Sequence, residues 1–122
     1  MKLWVDDIAA PPDDEWVWAT TPEQAVRLLA NFEFDTVSLD YDCRHKAIIE
    51  EKEVELKCDT GFEIVAWFIV AVNSTEPRIK TVGIHSGNCI GRDTLKSILR
   101  GKVENLIMRR TKDATSPPVQ TV

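Results

Sequence analysis

A chain of 122 residues is long enough for one domain around a single core and too short for two. Hydrophobic residues make up 43% of it, which argues against wholesale disorder, and no apolar run reaches the roughly 20 residues of a bilayer-spanning helix. The net charge of −5, from 20 acidic against 15 basic residues, argues against sequence-independent nucleic-acid binding, which depends on Lys and Arg neutralising many phosphates. It leaves room for a small phosphorylated ligand or nucleotide whose charge a metal ion or a local basic group offsets.

The N-terminus carries one Lys and then an acidic pair, which is not the pattern of a secretory signal, so a cytoplasmic location is expected. Cys43, Cys58 and Cys89 are odd in number and lack CxxC spacing; in a reducing compartment they read as free thiols.

The first strand is expected over Lys2-Leu3-Trp4-Val5, running into Asp6-Asp7. Pro11-Pro12 and Asp13-Asp14 forbid a regular helix in the next segment, which reads as a loop before a second strand at Trp16-Val17-Trp18-Ala19. Trp16 and Trp18 share a face of that strand. Core packing is the default account of these rings, with base stacking on one of them as the alternative. Thr21-Pro22-Glu23-Gln24 is a helix start, with Thr21 as cap, Pro22 at the first helical position and Gln24 three residues after the cap. Ala25, Leu28, Leu29 and Phe32 then recur at helical spacing, and Asp35 to Asp42 reads as a third strand.

Residues 43–59 look like an insertion, two β-prone runs flanking Lys52 and hence a hairpin, with Cys43 and Cys58 roughly opposite one another. A second helix is expected from Thr60-Gly61 to about Asn73, and a fourth strand over Ile79 to Ile84. A last helix is expected to start near Arg92-Asp93 and to carry Leu95, Ile98 and Leu99. The folded domain is expected over residues 1–105 and a polar tail over 106–122, with no fifth strand.

Strands alternating with helices imply a mostly parallel sheet, and in such sheets ligands bind at the carboxyl ends of the strands. Those ends carry Asp6-Asp7, Asp40-Tyr41-Asp42 and His85-Ser86-Gly87-Asn88. Carboxylates gathered at adjacent strand ends repel unless a cation sits among them, and hard oxygen ligands suit Mg²⁺, Mn²⁺ or Ca²⁺, with Mg²⁺ or Mn²⁺ expected here. Asp6, Asp7 and Asp40 are the expected ligands, with Asp42 a candidate fourth. Each Asp taken alone favours a strand end or turn cap; two acidic pairs directly after predicted strands shift the balance towards a site.

Ser86 to Arg92 reads as a glycine-containing strand-to-helix turn in which Ser86, Asn88, Gly91 and Arg92 meet a phosphate. His85 is a candidate general acid to a leaving oxygen, or alternatively a partly buried, hydrogen-bonded residue.

Leu3-Trp4-Val5-Asp6-Asp7, Ser38-Leu39-Asp40-Tyr41-Asp42, Thr60-Gly61-Phe62 and His85-Ser86-Gly87-Asn88-Cys89-Ile90-Gly91-Arg92 together resemble the cyclic-phosphate processing receiver-like domains, over roughly residues 2–100 apart from the insertion. The resemblance implies an α/β receiver- or flavodoxin-like three-layer sandwich, its first helix replaced here by the Pro-rich loop. It implies that Asp6 and Asp7 hold Mg²⁺ and that Asp40 matches the residue that accepts a phosphoryl group in a true receiver. The receiver's Lys has no counterpart in this reading, and Arg92 is the candidate for its charge. Three functions then compete. The first is a metal-dependent phosphoesterase acting on a cyclic or terminal nucleotide phosphate, with Asp40, His85, Ser86 and Arg92 as its catalytic set. The second is a nucleotide-binding domain without turnover. The third is a degenerate receiver whose phosphorylation controls an interaction.

Overall fold

The computed structural model describes residues 1–42, 44–57 and 61–109. Five strands form one parallel sheet: β1 (Lys2–Val5), β2 (Trp16–Ala19), β3 (Thr36–Leu39), β6 (Thr81–Ile84) and β7 (Asn105–Met108), in the order β2-β1-β3-β6-β7. An antiparallel hairpin of β4 (Arg44–Ile49) and β5 (Lys52–Lys57) stands apart from it. The helices are α1 (Pro22–Asn31), α2 (Glu63–Thr75) and α3 (Cys89–Leu99). This is the parallel sheet that the order of elements implies and the receiver-like α/β fold that the resemblance implies. None of the helices among the described residues is long and apolar enough to cross a membrane.

The register explains where the core sits. Leu3 pairs with Val17 and Val37, Val37 with Val82, and Val82 with Leu106, so these residues share one face of the sheet. That face packs against Ala25 and Leu29 of α1, Val65, Ala66 and Ile69 of α2, and Leu95, Ile98 and Leu99 of α3 in one cluster. All three helices therefore lie on the same side. Each fully buried Leu, Ile or Val in it contributes on the order of 2 kcal/mol. The opposite face carries Trp4, Trp16, Ser38 and Gly83, none of them part of that cluster.

Helix α1 starts as its sequence dictates. Thr21 Oγ1 accepts from the Gln24 amide at 3.1 Å, and Gln24 Oε1 reaches back to Thr20, accepting from its amide and hydroxyl.

Three expectations need correcting. Residues 105–108 are not tail but the fifth strand, so the boundary expected at 105 falls inside β7; residues 110–122 lie outside the described residues. Helix α3 starts at Cys89, three residues before the expected Arg92, because Asn88 caps it: its side-chain oxygen accepts from the Gly91 amide at 3.0 Å. The hairpin turn is Glu50-Glu51, ahead of Lys52, with Ile49 paired to Lys52 and φ of 52° and 65° at the two turn residues. Such left-handed backbone usually falls to Asn or Gly and costs a side-chain-bearing residue about 1 kcal/mol. The juxtaposition expected of Cys43 and Cys58 lies outside the described residues.

Candidate metal centre at the strand ends

Four backbone hydrogen bonds carry the sheet one residue beyond its strands: Asp6 N to Ala19 O, Asp40 N to Val5 O, His85 N to Leu39 O and Arg109 N to Ile84 O. Asp6, Asp40, His85 and Arg109 thus form a row along the carboxyl edge. The pairing alone brings together residues separated by a hundred positions in the chain.

Carboxylate oxygens of Asp6, Asp7 and Asp40 all lie within 4.8 Å of one another. Asp6 is buried and held by three donors: Oδ1 accepts from the Ile8 and Ala9 amides at 2.9 and 2.8 Å, and Oδ2 faces His85 Nε2 at 2.9 Å. Burial alone would raise its pKa; the hydrogen bond from His85 and the two amides together outweigh that, and Asp6 is held below the ordinary carboxylate value.

Asp40 goes the other way. Burial, and then the negative charge of Asp6, push its carboxyl up to about 6, although the Tyr41 amide and the Ser86 hydroxyl both bond to it. With Asp6 held ionised beside it, a buried Asp40 carboxylate is costly to ionise, and positive charge placed between the two would relieve that cost. The set is all hard oxygen and converges from two strand ends, which fits a divalent cation of the Mg²⁺ type.

Ser86 is fully buried; its oxygen accepts from the Asn88 amide at 3.1 Å while it bonds Asp40. Asn88 caps α3 and also donates from Nδ2 to Asp42 at 3.2 Å, which ties Asp42 to the helix start beside the carboxylate cluster.

Gly91 lies inside the first turn of α3. A Cβ there would stand 2.3 Å from Tyr41 Cγ, so the missing side chain makes room for the Tyr41 ring. Arg92 is half-buried in the same turn, and its amide donates to the Asn88 carbonyl at 2.8 Å.

His85 is buried, with both ring nitrogens engaged: Nε2 with Asp6, and Nδ1 with Ser38 Oγ at 2.7 Å. The Trp4 indole stacks on its ring with centroids 4.0 Å apart and planes at 9°.

Sequence reasoning passed over three participants. Ser38 reads as an ordinary strand residue, though a hydroxyl two residues before Asp40 was a signal. Trp4 reads as core. Arg109 follows β7, and its side chain crosses the face opposite the helices: a Cβ on Gly83 would lie 2.7 Å from Arg109 Nε, and the guanidinium sits 5.5 Å from the Trp16 ring. Its Nε is buried without a hydrogen-bond partner. Arg109, and not Arg92, follows the fifth strand.

No curated protein and no solved structure matches the chain significantly. A family model described as the cyclic-phosphate processing receiver domain matches residues 1–101, from the first residue through the end of α3, with only β7 of the sheet beyond it. With the five-stranded parallel sheet and the acidic strand ends in place, the chain belongs to the family of cyclic-phosphate processing receiver domains.

Proposed function

We propose that this domain is a metal-dependent phosphoesterase acting on a cyclic or terminal phosphate of a nucleotide. The observation that carries the reading is the convergence of three carboxylates within 4.8 Å, with Asp40 raised to about 6 by burial and by Asp6. Asp6, Asp7 and Asp40 would hold the ion. When bound, it neutralises the carboxylates and draws charge from the phosphoryl oxygens.

The remaining work falls to the chain. The Tyr41 amide and the Ser86 hydroxyl fix the Asp40 carboxylate. Asp40 attacks phosphorus: an oxygen–phosphorus bond forms, the ester P–O bond opens, and the leaving oxygen takes a proton from water. A second water then hydrolyses the acyl phosphate and returns the free carboxylate. Ser86 and the amino end of α3, where Asn88 is the cap, would stabilise the charge on the phosphoryl oxygens.

One observation favours a second reading, binding or phosphorylation without turnover. His85 is occupied at both nitrogens and offers no free proton to a leaving oxygen. Incubation with cyclic and linear nucleotides in Mg²⁺ or EDTA, followed by chromatography, separates the two. A metal-dependent product that Asp40→Asn lowers by about a thousandfold or more supports the esterase. Ligand recovered intact, or product formed equally by Asp40→Asn, rejects it.

A further inference from the structure

Ser38, His85 and Asp6 form a buried line of side chains drawn from three adjacent strands, at 0%, 6% and 4% exposure. The contacts are 2.7 Å from Ser38 Oγ to His85 Nδ1 and 2.9 Å from His85 Nε2 to Asp6 Oδ2. We infer that His85 is a positioning residue for the metal centre, locking the Asp6 carboxylate in its ligand orientation, with Ser38 setting its tautomer and Trp4 its ring plane. This rests on the proposed metal centre.

The chemistry of each contact fixes its direction. An ionised carboxylate only accepts, so Nε2 carries the hydrogen that points at Asp6. In the neutral imidazole Nδ1 is then an acceptor, and the Ser38 hydroxyl donates to it. The stacked indole of Trp4 prevents the ring from turning out of the line, and Trp4 is itself pinned by its Nε1 donating to Ala9 O at 2.8 Å.

That carbonyl belongs to the segment whose amides, Ile8 and Ala9, hold the other oxygen of Asp6. Asp6 is therefore clamped from two directions by a ring and a loop that are themselves joined through Trp4. An orienting partner behind a metal-ligating carboxylate typically changes affinity by about 10–100-fold when removed.

The test is Mn²⁺ affinity, read as free Mn²⁺ by electron paramagnetic resonance, in the wild type and three variants, with a thermal melt of each as the fold control. His85→Leu removes the donor and is expected to weaken Mn²⁺ binding by about 10-fold or more. His85→Gln places an amide N–H where Nε2 stood and is expected to recover most of that loss. Ser38→Ala removes only a hydroxyl, and nitrogen NMR of the imidazole is expected to show loss of the single Nε2–H tautomer together with weaker Mn²⁺ binding.

Folded His85→Leu with wild-type affinity overturns the inference and leaves the metal centre standing. If His85→Leu does not fold, Ser38→Ala decides, and an unchanged tautomer with unchanged affinity overturns it. A wild type that binds no Mn²⁺ overturns the metal centre itself, and the inference with it.

Discussion

Asp40→Asn should stabilise the metal-free protein at neutral pH. The folded environment lifts the Asp40 pKa from 3.8 to about 6 through burial and the Asp6 charge. The difference of about 2.2 units, at 1.36 kcal/mol per unit, sets a ceiling of about 3 kcal/mol on what ionising Asp40 costs the fold. Part of the shift comes from the Asp6 charge, which relaxes when the pair titrates together, so about 2 kcal/mol is the working figure.

A folded pKa above the unfolded one means that the native state holds the proton longer as pH rises. Stability contributed by Asp40 is therefore complete below about pH 3.8, falls between there and about 6, and is fully lost above. Asparagine keeps the oxygen that accepts from the Tyr41 amide and removes the charge.

Urea and thermal unfolding in EDTA, from pH 4.5 to 8, should show a gap between variant and wild type that opens across this window. At about 4 °C or more per kcal/mol for a domain of this size, the variant should melt roughly 8 °C higher at pH 7.5. Saturating Mg²⁺ should reverse the order, because it stabilises the wild type through linkage and has lost a ligand in the variant. A variant no more stable than wild type in EDTA at pH 7.5, or a gap independent of pH, would refute the electrostatic argument.

Gly91→Ala should cost about 2–3 kcal/mol in urea unfolding, since the new methyl meets the Cβ and Cγ of Tyr41 rather than a flexible tip, and should also weaken Mn²⁺ binding by moving the amide that holds Asp40. Gly83→Ala should cost about 1 kcal/mol by displacing Arg109 Nε, and a double-mutant cycle with Arg109→Ala should recover most of it; a cost that persists in the double variant contradicts the packing account. Asn88→Ala should cost about 1–2 kcal/mol, from the loss of the α3 cap and of the bond to Asp42, with Asn88→Asp retaining the cap and less of the second contact.

The sequence by itself determined most of the local structure and the raw material of the site. Thr21-Pro22 announces α1, and the alternation of Leu3 with Val5, Val37 with Leu39, and Val82 with Ile84 gives each strand a core side. Acidic residues directly after two such strands are enough to locate the candidate metal centre once a parallel sheet is granted.

The tertiary structure decided what depends on neighbours far away in the chain. Strand β7 has a single residue, Leu106, packed against the core, so its four residues carry no pattern of their own and become a strand only by pairing with β6. Gly91 reads as loop punctuation, yet it is helical because the Asn88 side chain supplies a cap and Tyr41 fills the space above it. His85 meets Ser38 and Asp6 across 47 and 79 residues. A hydrogen bond over such a separation leaves no periodic trace along the chain, because register, and not local propensity, sets which side chains face each other across a sheet.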